Sequence, residues 1–296
     1  MLRPPETGPE TEPIKQIPAP VGFSSGVGIF LIMSYKQIME SKSLKEAIDA
    51  LWESRLQGRH LPAEWKGKLS VDEGYQIQLG QLEKHVRSGD EHVGWKVGLT
   101  AKAIQDQFEY HEPVFGYLLK SGMLASGASL IYDDMIAPGF ENELCVTIGE
   151  DLKGPGVSLE QARAAIRGVA PALEVVEKRG EFAADAALSL ADNVQQRYFV
   201  VGEETSPLAA EVKLSQVQAQ VYINGEEVDS ADGSEVLGDP AASVAWLANR
   251  LAGFGWKLDA GARVMTGSFT KQYPLNQGDY IETVFSLFGE VKLEVG

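Results

Sequence analysis

Cysteine is almost absent from this chain of 296 residues, since Cys145 is the only one. A lone cysteine excludes an intrachain disulfide and a cysteine-rich zinc site, and it favours a reducing compartment, which predicts a cytoplasmic protein. Basic residues are also scarce: 26 Lys and Arg stand against 42 Asp and Glu, which gives a net charge of −16. Nucleic-acid binding needs clustered Lys and Arg, so no nucleic-acid partner is expected. An anionic substrate would need a local cation, either a metal ion or a placed Lys or Arg.

Long apolar runs and the common nucleotide and zinc motifs are missing as well. The longest apolar run, Val27 to Met33, is shorter than the about 20 residues that cross a bilayer, and the acidic, Pro-rich stretch before it is unlike a signal peptide. The histidines show no HxH or HExxH spacing, and there is no GxxxxGKS/T loop or strand-linked GxGxxG. Membrane insertion, a His-based zinc site and a dinucleotide-binding fold are therefore not expected.

Three segments differ in composition. Prolines crowd the beginning of the chain without any periodicity, which predicts a disordered extension over residues 1–34. The hypothesis that Met33 is the true start would make the preceding residues an upstream extension. Residues 35–92 have mostly helical patterns, and 93–296 have the patterns of a β-rich catalytic domain.

Turn and cap residues predict where the elements begin. Three capping boxes open helices: Ser43 with Glu46, Ser70 with Glu73, and Ser158 with Gln161. Asp239-Pro240 opens another helix, which Gly253 closes. Alternating residues from Val217 to Ile223 run into Asn224-Gly225, the signal of a β-hairpin. Further strands are predicted at Arg263–Thr266, Tyr280–Phe285 and Glu290–Val295. These patterns predict a mixed α/β (α+β) protein with a β-rich core.

The segment 140–148, Phe-Glu-Asn-Glu-Leu-Cys-Val-Thr-Ile, is the most informative in the chain. In a strand, alternate residues point to opposite faces, so Glu141 and Glu143 would project from the same side. Two carboxylates that close raise each other's pKa unless a cation lies between them, and Mg²⁺ prefers carboxylate oxygens. The alternative is a solvated strand face that carries two ordinary glutamates.

Two further charges interrupt apolar sequence. Glu174 lies in Pro-Ala-Leu-Glu-Val-Val, and a buried carboxylate needs a partner, which a metal ion shared with Glu141 and Glu143 would supply. Lys96 lies in Gly-Trp-Lys-Val-Gly-Leu-Thr. It is either a structural ion pair or snorkelling side chain, or a general acid/base beside a divalent ion. The spacing leaves both interpretations open.

Together these segments resemble the fumarylacetoacetate hydrolase superfamily, in its 2-keto-4-pentenoate hydratase and 4-oxalocrotonate decarboxylase branch. Landmarks in the family's order span residue 59 to the C-terminus. They are Tyr75-Gln76-Ile77-Gln78, Gly94 to Thr100, Glu112-Pro113-Val114-Phe115-Gly116, Glu141-x-Glu143, Pro171-Ala172-Leu173-Glu174, Ala191-Asp192-Asn193, Gly238-Asp239-Pro240, Val244 to Asn249, and Thr266-Gly267-Ser268-Phe269-Thr270.

The resemblance implies a role for each matching residue. Glu141, Glu143 and Glu174 would hold Mg²⁺ or Mn²⁺, and Lys96 matches the family's active-site lysine. The positions implied to bind a small 2-oxo acid substrate are Ser268, Asp192, Asn193, Phe115 and Gly116. The implied fold is a β-rich mixed-sheet roll with a smaller helical N-terminal part. Homo-oligomers are also implied, as in hydratases that form rings of five assembled in pairs (decamers), and association with other enzymes of the pathway stays open.

Departures from the family pattern bear on the reaction. Hydratases commonly carry Asp where this chain has Val114; nearby His111 could replace it, although a solvated loop histidine is the alternative. The segments 177–179 (Glu-Lys-Arg, where the family usually has Asp-Ser-Arg) and 194–196 (Val-Gln-Gln, where it has small residues) also differ.

The expected reaction is hydration of a 2-hydroxy-2,4-dienoate, such as 2-hydroxypenta-2,4-dienoate, in the degradation of aromatic compounds. The Phe269-Thr270 pair favours this hydro-lyase, whereas Val114 favours the alternative, a 4-oxalocrotonate-type decarboxylase. An acylpyruvate C–C hydrolase is the third candidate. An inactive metal-binding oligomer is the non-enzyme alternative.

Overall fold

The computed structural model describes residues 41–296, so the predicted extension over 1–34 and Met33 lie outside the described residues. Six α-helices and two mixed sheets make up this part of the chain. The helices are α1 (Lys42–Leu56), α2 (Val71–Arg87), α3 (Lys102–Gln107), α4 (Leu159–Ala165), α5 (Ala186–Ala191) and α6 (Pro240–Ala252). The strands are β1 (His92–Gly98), β2 (Val114–Leu119), β3 (Met123–Ala125), β4 (Ala128–Leu130), β5 (Pro138–Ile148), β6 (Ile166–Glu177), β7 (Gln196–Val201), β8 (Gln218–Ile223), β9 (Glu226–Asp232), β10 (Arg263–Met265), β11 (Tyr273–Pro274), β12 (Tyr280–Phe285) and β13 (Gly289–Val295).

The larger sheet carries the long central strands β5 and β6. Its order is β2-β1-β10-β5-β6-β7-β3, and β11 also pairs with β5. The β1–β10 and β3–β7 pairs are parallel and the others are antiparallel, so the sheet is mixed. The second sheet has the order β4-β13-β12-β8-β9. The predicted β-rich mixed-sheet architecture is confirmed.

Cap chemistry sets most helix ends as predicted. Ser70 with Glu73 and Ser158 with Gln161 form reciprocal capping boxes at the starts of α2 and α4. Asp239 caps α6 by accepting a hydrogen bond from the Ala241 N–H, and Gly253 follows the last turn.

The predicted start of α1 at Ser43 was wrong. The helix begins at Lys42, its N-cap is Ser41, and that serine makes no side-chain cap hydrogen bond. Ser43 therefore lies inside the first turn. A serine two residues upstream offered an equivalent cap position, and spacing could not separate the two.

The predicted hairpin joins β8 to β9. Asn224 and Gly225 both have positive φ, 55° and 84°, which is the conformation of a type I′ turn. Asparagine and glycine tolerate this backbone better than other residues, so the local sequence defines the turn.

The N-terminal helices pack onto the β-rich part. Leu44, Ile48 and Leu51 of α1 form a cluster with Ile77 of α2 and Leu188 of α5. The predicted parts 35–92 and 93–296 are therefore in contact, and their division into separate domains stays a prediction. Within residues 41–296, no helix is long and apolar enough to cross a membrane.

Candidate active site

Three glutamates converge on one face of the larger sheet. Glu141 on β5 lies directly opposite Glu174 on β6, and Glu143 follows on the same face two residues later. One oxygen from each carboxylate lies within 4.8 Å of the others. Glu143 and Glu174 have no solvent-exposed surface, whereas Glu141 is partly buried. The pairing register therefore joins two segments that are about thirty residues apart in the sequence.

These carboxylates lack the hydrogen bonds that buried anions need. Glu143 Oε2 accepts one from the Gly267 N–H at 2.8 Å. In the described part of the chain, Glu143 Oε1 and both oxygens of Glu174 accept none. Burial, and then the neighbouring carboxylates, raise the pKa of Glu143 well above its usual range; burial and Glu174 raise the pKa of Glu141 to about 7. Closely spaced carboxylate oxygens with few hydrogen bonds are the ligands that a hard divalent cation prefers, so the residues present fit a metal ion.

Gly267 is required at this site for steric reasons. Its φ is +113°, a conformation that side chains disfavour, and a Cβ would lie 2.5 Å from the Thr100 side chain. A larger residue would displace the N–H that binds Glu143.

A buried lysine lies beside the carboxylates. The Lys96 side chain is 4% exposed, and its Nζ lies 3.3 Å from Glu174 Oε1. Nζ also donates a hydrogen bond to the Val194 carbonyl at 3.4 Å. Gly116 lies opposite Lys96 on β2, where a Cβ would come within 3.1 Å of Lys96 Cε. The site thus holds one ammonium group against three carboxylates.

The carbonyl that binds Lys96 belongs to a strained turn. Asn193, Val194 and Gln195 have φ values of 59°, 51° and 63°, a left-handed conformation that costs about 1–2 kcal/mol per residue. The Asn193 side chain fixes the turn because its Oδ1 accepts from the Tyr117 N–H at 2.7 Å and its Nδ2 donates to the Tyr117 carbonyl at 3.0 Å. Strain of this kind persists only where surrounding contacts over-determine the backbone.

A buried ion pair holds the residue before this turn. Arg179 Nε donates to Asp192 Oδ2 at 3.0 Å, and Arg55 Nε lies 3.7 Å from Asp192 Oδ1. The Arg179 and Asp192 side chains are 1% and 0% exposed. Asp192 therefore anchors the backbone directly before the turn that brings the Val194 carbonyl to Lys96.

A cavity of about 530 Å³ opens over the carboxylates. Its polar wall includes Glu141, Lys96 and Ser268, and the Ser268 Oγ is buried without a hydrogen-bond partner in residues 41–296. Its apolar wall includes Phe108 and Phe182, whose rings meet edge to face at 5.6 Å. An unpartnered hydroxyl beside a carboxylate cluster suits recognition of a polar substrate group.

The structure brings some predicted site residues together and places others elsewhere. The residues that form the three-glutamate cluster, contact it or line the cavity are Glu141, Glu143, Glu174, Lys96 and Ser268. The other four predicted binding residues, Phe115, Gly116, Asp192 and Asn193, are buried behind it and are not among the cavity's lining residues. His111 is 66% exposed, lies 3.6 Å from Asp106, and is also outside the lining. Roles for these five in binding or catalysis stay predictions.

Several lining residues gave no functional signal in the sequence. Val194 and Gln195 reach the cavity through the left-handed turn, which a β-branched residue does not predict. Phe108 and Phe182 meet only in the tertiary structure. Lys178 also lines the cavity. The one available signal for Lys178 was its place in the segment that departs from Asp-Ser-Arg.

A mixed-sheet fold that gathers three carboxylates and a buried lysine at one cavity forms an enzyme site whose oxygens suit a divalent cation. Residues 83–296 match the family model for the fumarylacetoacetate (FAA) hydrolase C-terminal region, so this chain belongs to the fumarylacetoacetate hydrolase family.

Two relatives show which branch of the family this chain resembles. The chain is 34% identical over 268 residues to a 2-hydroxyhexa-2,4-dienoate hydratase of Comamonas testosteroni, covering 88% of this chain and 99% of the relative. It is 33% identical over 214 residues to a 4-oxalocrotonate decarboxylase of Pseudomonas sp. strain CF600, covering 72% and 81%. The predicted hydratase and decarboxylase branch is confirmed.

A solved structure has the same fold over most of the chain. It is the 4-oxalocrotonate decarboxylase of Pseudomonas putida G7 complexed with magnesium and adipate, with a TM-score of 0.82 and 29% identity. The match covers 86% of this chain and 98% of that one. The same enzyme has also been solved with calcium and acetate, so divalent cations are found in structures of this enzyme.

Proposed function

We propose that this protein is a divalent-metal-dependent hydro-lyase that adds water to a 2-hydroxy-2,4-dienoate. The observation that carries the proposal is the convergence of Glu141, Glu143 and Glu174 beside Lys96 in one cavity. The hydratase relative, which matches over nearly its whole length, supports the same reaction class. We propose Mg²⁺ or Mn²⁺ as the ion, held by the three glutamates.

The proposed ion would supply one kind of chemistry: electrophilic stabilisation of negative charge on the 1-carboxylate and 2-oxo oxygens of the substrate. The three glutamates would hold it at the buried end of the cavity. The unpartnered Ser268 hydroxyl is free to donate a hydrogen bond to a substrate oxygen. Both interactions orient the conjugated chain toward the apolar wall.

Lys96 is the proposed proton carrier. Its Nζ lies 3.3 Å from Glu174 and 3.4 Å from the Val194 carbonyl, which fix its direction at the cavity wall. From there it can transfer a proton to or from the dienol or enolate form of the substrate as water adds to the conjugated carbon. Phe108 and Phe182 form the apolar wall beside this step.

A decarboxylase is the second candidate function, and one observation favours it. Val114 lines the cavity at the position where hydratases commonly carry Asp. An apolar side chain there cannot accept a proton from the added water, whereas loss of CO₂ requires only that the carbanion's charge is accepted. The same metal site serves either reaction.

One experiment separates the two functions. The protein is incubated in Mg²⁺ with 2-hydroxypenta-2,4-dienoate and, in a parallel reaction, with 4-oxalocrotonate. The loss of the substrate's ultraviolet absorbance and the release of CO₂ are followed in both. We expect a hydrated product without CO₂. Release of CO₂ without a hydrated product would replace hydration by decarboxylation as the function.

The setting of the enzyme stays as predicted from the sequence. We propose a cytoplasmic homo-oligomer acting in the degradation of aromatic compounds on a small 2-oxo acid. Cys145 is buried and free, which suits a reducing compartment.

A further inference from the structure

The outer wall of the cavity carries an excess of positive charge. A divalent ion together with Lys96 would balance the three glutamates at the buried end. Beyond them, Lys178 and Lys271 line the cavity together with a single carboxylate, Glu181. In a chain of net charge −16, a local cationic wall favours an anionic group inside the cavity. The proposed metal ion would bind the 1-carboxylate of the substrate, so the cationic wall suits a second carboxylate on the same substrate.

Lys178 directly follows β6, the strand that carries Glu174. Its N–H donates to the Ile136 carbonyl at 3.0 Å, one residue out of the regular β5–β6 register, at Ala137, whose φ is 42°. Val176 and Lys178 both line the cavity. The Cα atoms of Glu174 and Lys178 are about 13 Å apart at the usual rise of a strand. A substrate gripped at Glu174 and lying along Val176 thus has Lys178 at its far end.

The Lys178 ammonium group is available for a ligand. It pairs with Glu181 Oε1 at 3.1 Å, and the two side chains are 50% and 65% exposed. An ion pair this exposed contributes little to stability, so a ligand carboxylate can replace Glu181 without a large penalty. In the absence of a ligand, the ion pair with Glu181 keeps the Lys178 ammonium group at the cavity wall. The Lys271 ammonium group lies 5.0 Å from the Tyr273 ring centroid and is the second cation of the wall.

We propose that Lys178 binds the distal carboxylate of the substrate, so that the enzyme selects 2-hydroxy-2,4-dienoates that are diacids. This inference rests on the proposed function and narrows its substrate class. Charge-assisted hydrogen bonds such as ammonium to carboxylate are among the stronger ones in proteins.

Binding of unreactive analogues tests the proposal without turnover. Calorimetry in Mg²⁺ compares 2-oxoadipate with 2-oxohexanoate, which have equal chain length and differ only in the terminal carboxylate. We expect wild type to bind the diacid about tenfold or more tightly than the monoacid. Lys178→Met keeps the apolar stem and removes the charge, so the affinity ratio should fall to about one. The exposed Lys153→Met is the matched control and should keep the wild-type ratio.

Two results would overturn the proposal. One is equal affinity of wild type for the two acids. The other is a diacid preference that survives in Lys178→Met, including the case in which Lys271→Met removes it instead.

A steady-state kinetic assay tests the diacid preference and the proposed function separately. Wild type and Lys178→Met are assayed for the hydrated products of 2-hydroxyhexa-2,4-dienedioate, which is the enol form of 4-oxalocrotonate, and of 2-hydroxypenta-2,4-dienoate. Because Lys178 lies away from the reacting atoms, its loss should raise the KM for the diacid about tenfold and change kcat much less. Absence of turnover with both compounds would reject the proposed function, even if the analogues still showed the diacid preference. Turnover of both with equal kcat/KM in wild type would reject the substrate class alone.

Discussion

Glu141→Gln should stabilise the metal-free protein while removing most of its response to metal. Burial and Glu174 raise the pKa of Glu141 from its ordinary 4.5 to about 7. At about 1.4 kcal/mol per pKa unit, this shift corresponds to about 3 kcal/mol. The unfolded chain loses this proton near pH 4.5 and the folded, metal-free site only near pH 7. The free energy of unfolding therefore falls as pH rises through this window and stays low above it.

Glu141→Gln removes this pH-dependent loss of stability because glutamine carries no charge at any pH. In EDTA, Glu141→Gln should be about 3 kcal/mol more stable than wild type at pH 8, and the difference should vanish near pH 4.5. Free Mg²⁺ at a hundred times its Kd should stabilise wild type by about 2.7 kcal/mol and the variant much less, so the difference closes. The order of stabilities thus depends on both pH and metal.

Urea unfolding at equal protein concentrations measures each of these differences. Glu150→Gln, at an exposed glutamate just beyond β5, is the matched control and should behave as wild type at both pH values. A Glu141→Gln variant that is no more stable than wild type in EDTA at pH 8 would refute the electrostatic reasoning. So would an undiminished Mg²⁺ stabilisation in the variant.

Four other predictions follow from the same geometry. Glu143→Gln should weaken Mg²⁺ binding, measured by calorimetry, and abolish turnover. Wild-type activity in this variant would show that Glu143 is not a metal ligand. Lys96→Met should lower kcat about 10²–10⁴-fold while the metal stays bound, and an unchanged rate would exclude Lys96 from proton transfer. In wild type, Mg²⁺ affinity should rise with pH between about 5 and 7, because protons compete with the metal for Glu141 and Glu143, whose pKa values are raised; a flat profile over this range would contradict this. Asp192→Asn should lower the free energy of unfolding by about 3–5 kcal/mol, because it leaves Arg179 buried with its countercharge removed; a loss below 1 kcal/mol would mean that this pair is not needed.

Local sequence patterns predicted much of the fold because they act over a few residues. The capping boxes at Ser70 and Ser158 satisfy backbone N–H groups within their own helices, and Asn224-Gly225 sets its turn by its own φ preferences. The prediction of the start of α1 was wrong because it, too, depended only on local patterns. Ser41 and Ser43 offer similar local chemistry, and the observed start does not depend on a side-chain cap bond.

The face shared by Glu141 and Glu143 was determined by the sequence itself, because alternation along a strand fixes it without knowledge of any neighbour. That Glu174 needed a partner also followed from its apolar surroundings. Which partner it met depended on the β5–β6 register, since a slip of one residue would turn every side chain of the strand to the other face.

Only the tertiary structure placed Lys178 and the Val194 carbonyl at the cavity. Lys178 owes its position to the backbone hydrogen bond with Ile136 just beyond β6, and Val194 owes its left-handed backbone to contacts that Asp192 and Asn193 make elsewhere. Such contacts join residues far apart in the chain, and their energies exceed the local preference of any one residue. Sequence therefore determined which carboxylates share a face of the strand, whereas the long-range packing decided the shape and the charge of the cavity around them.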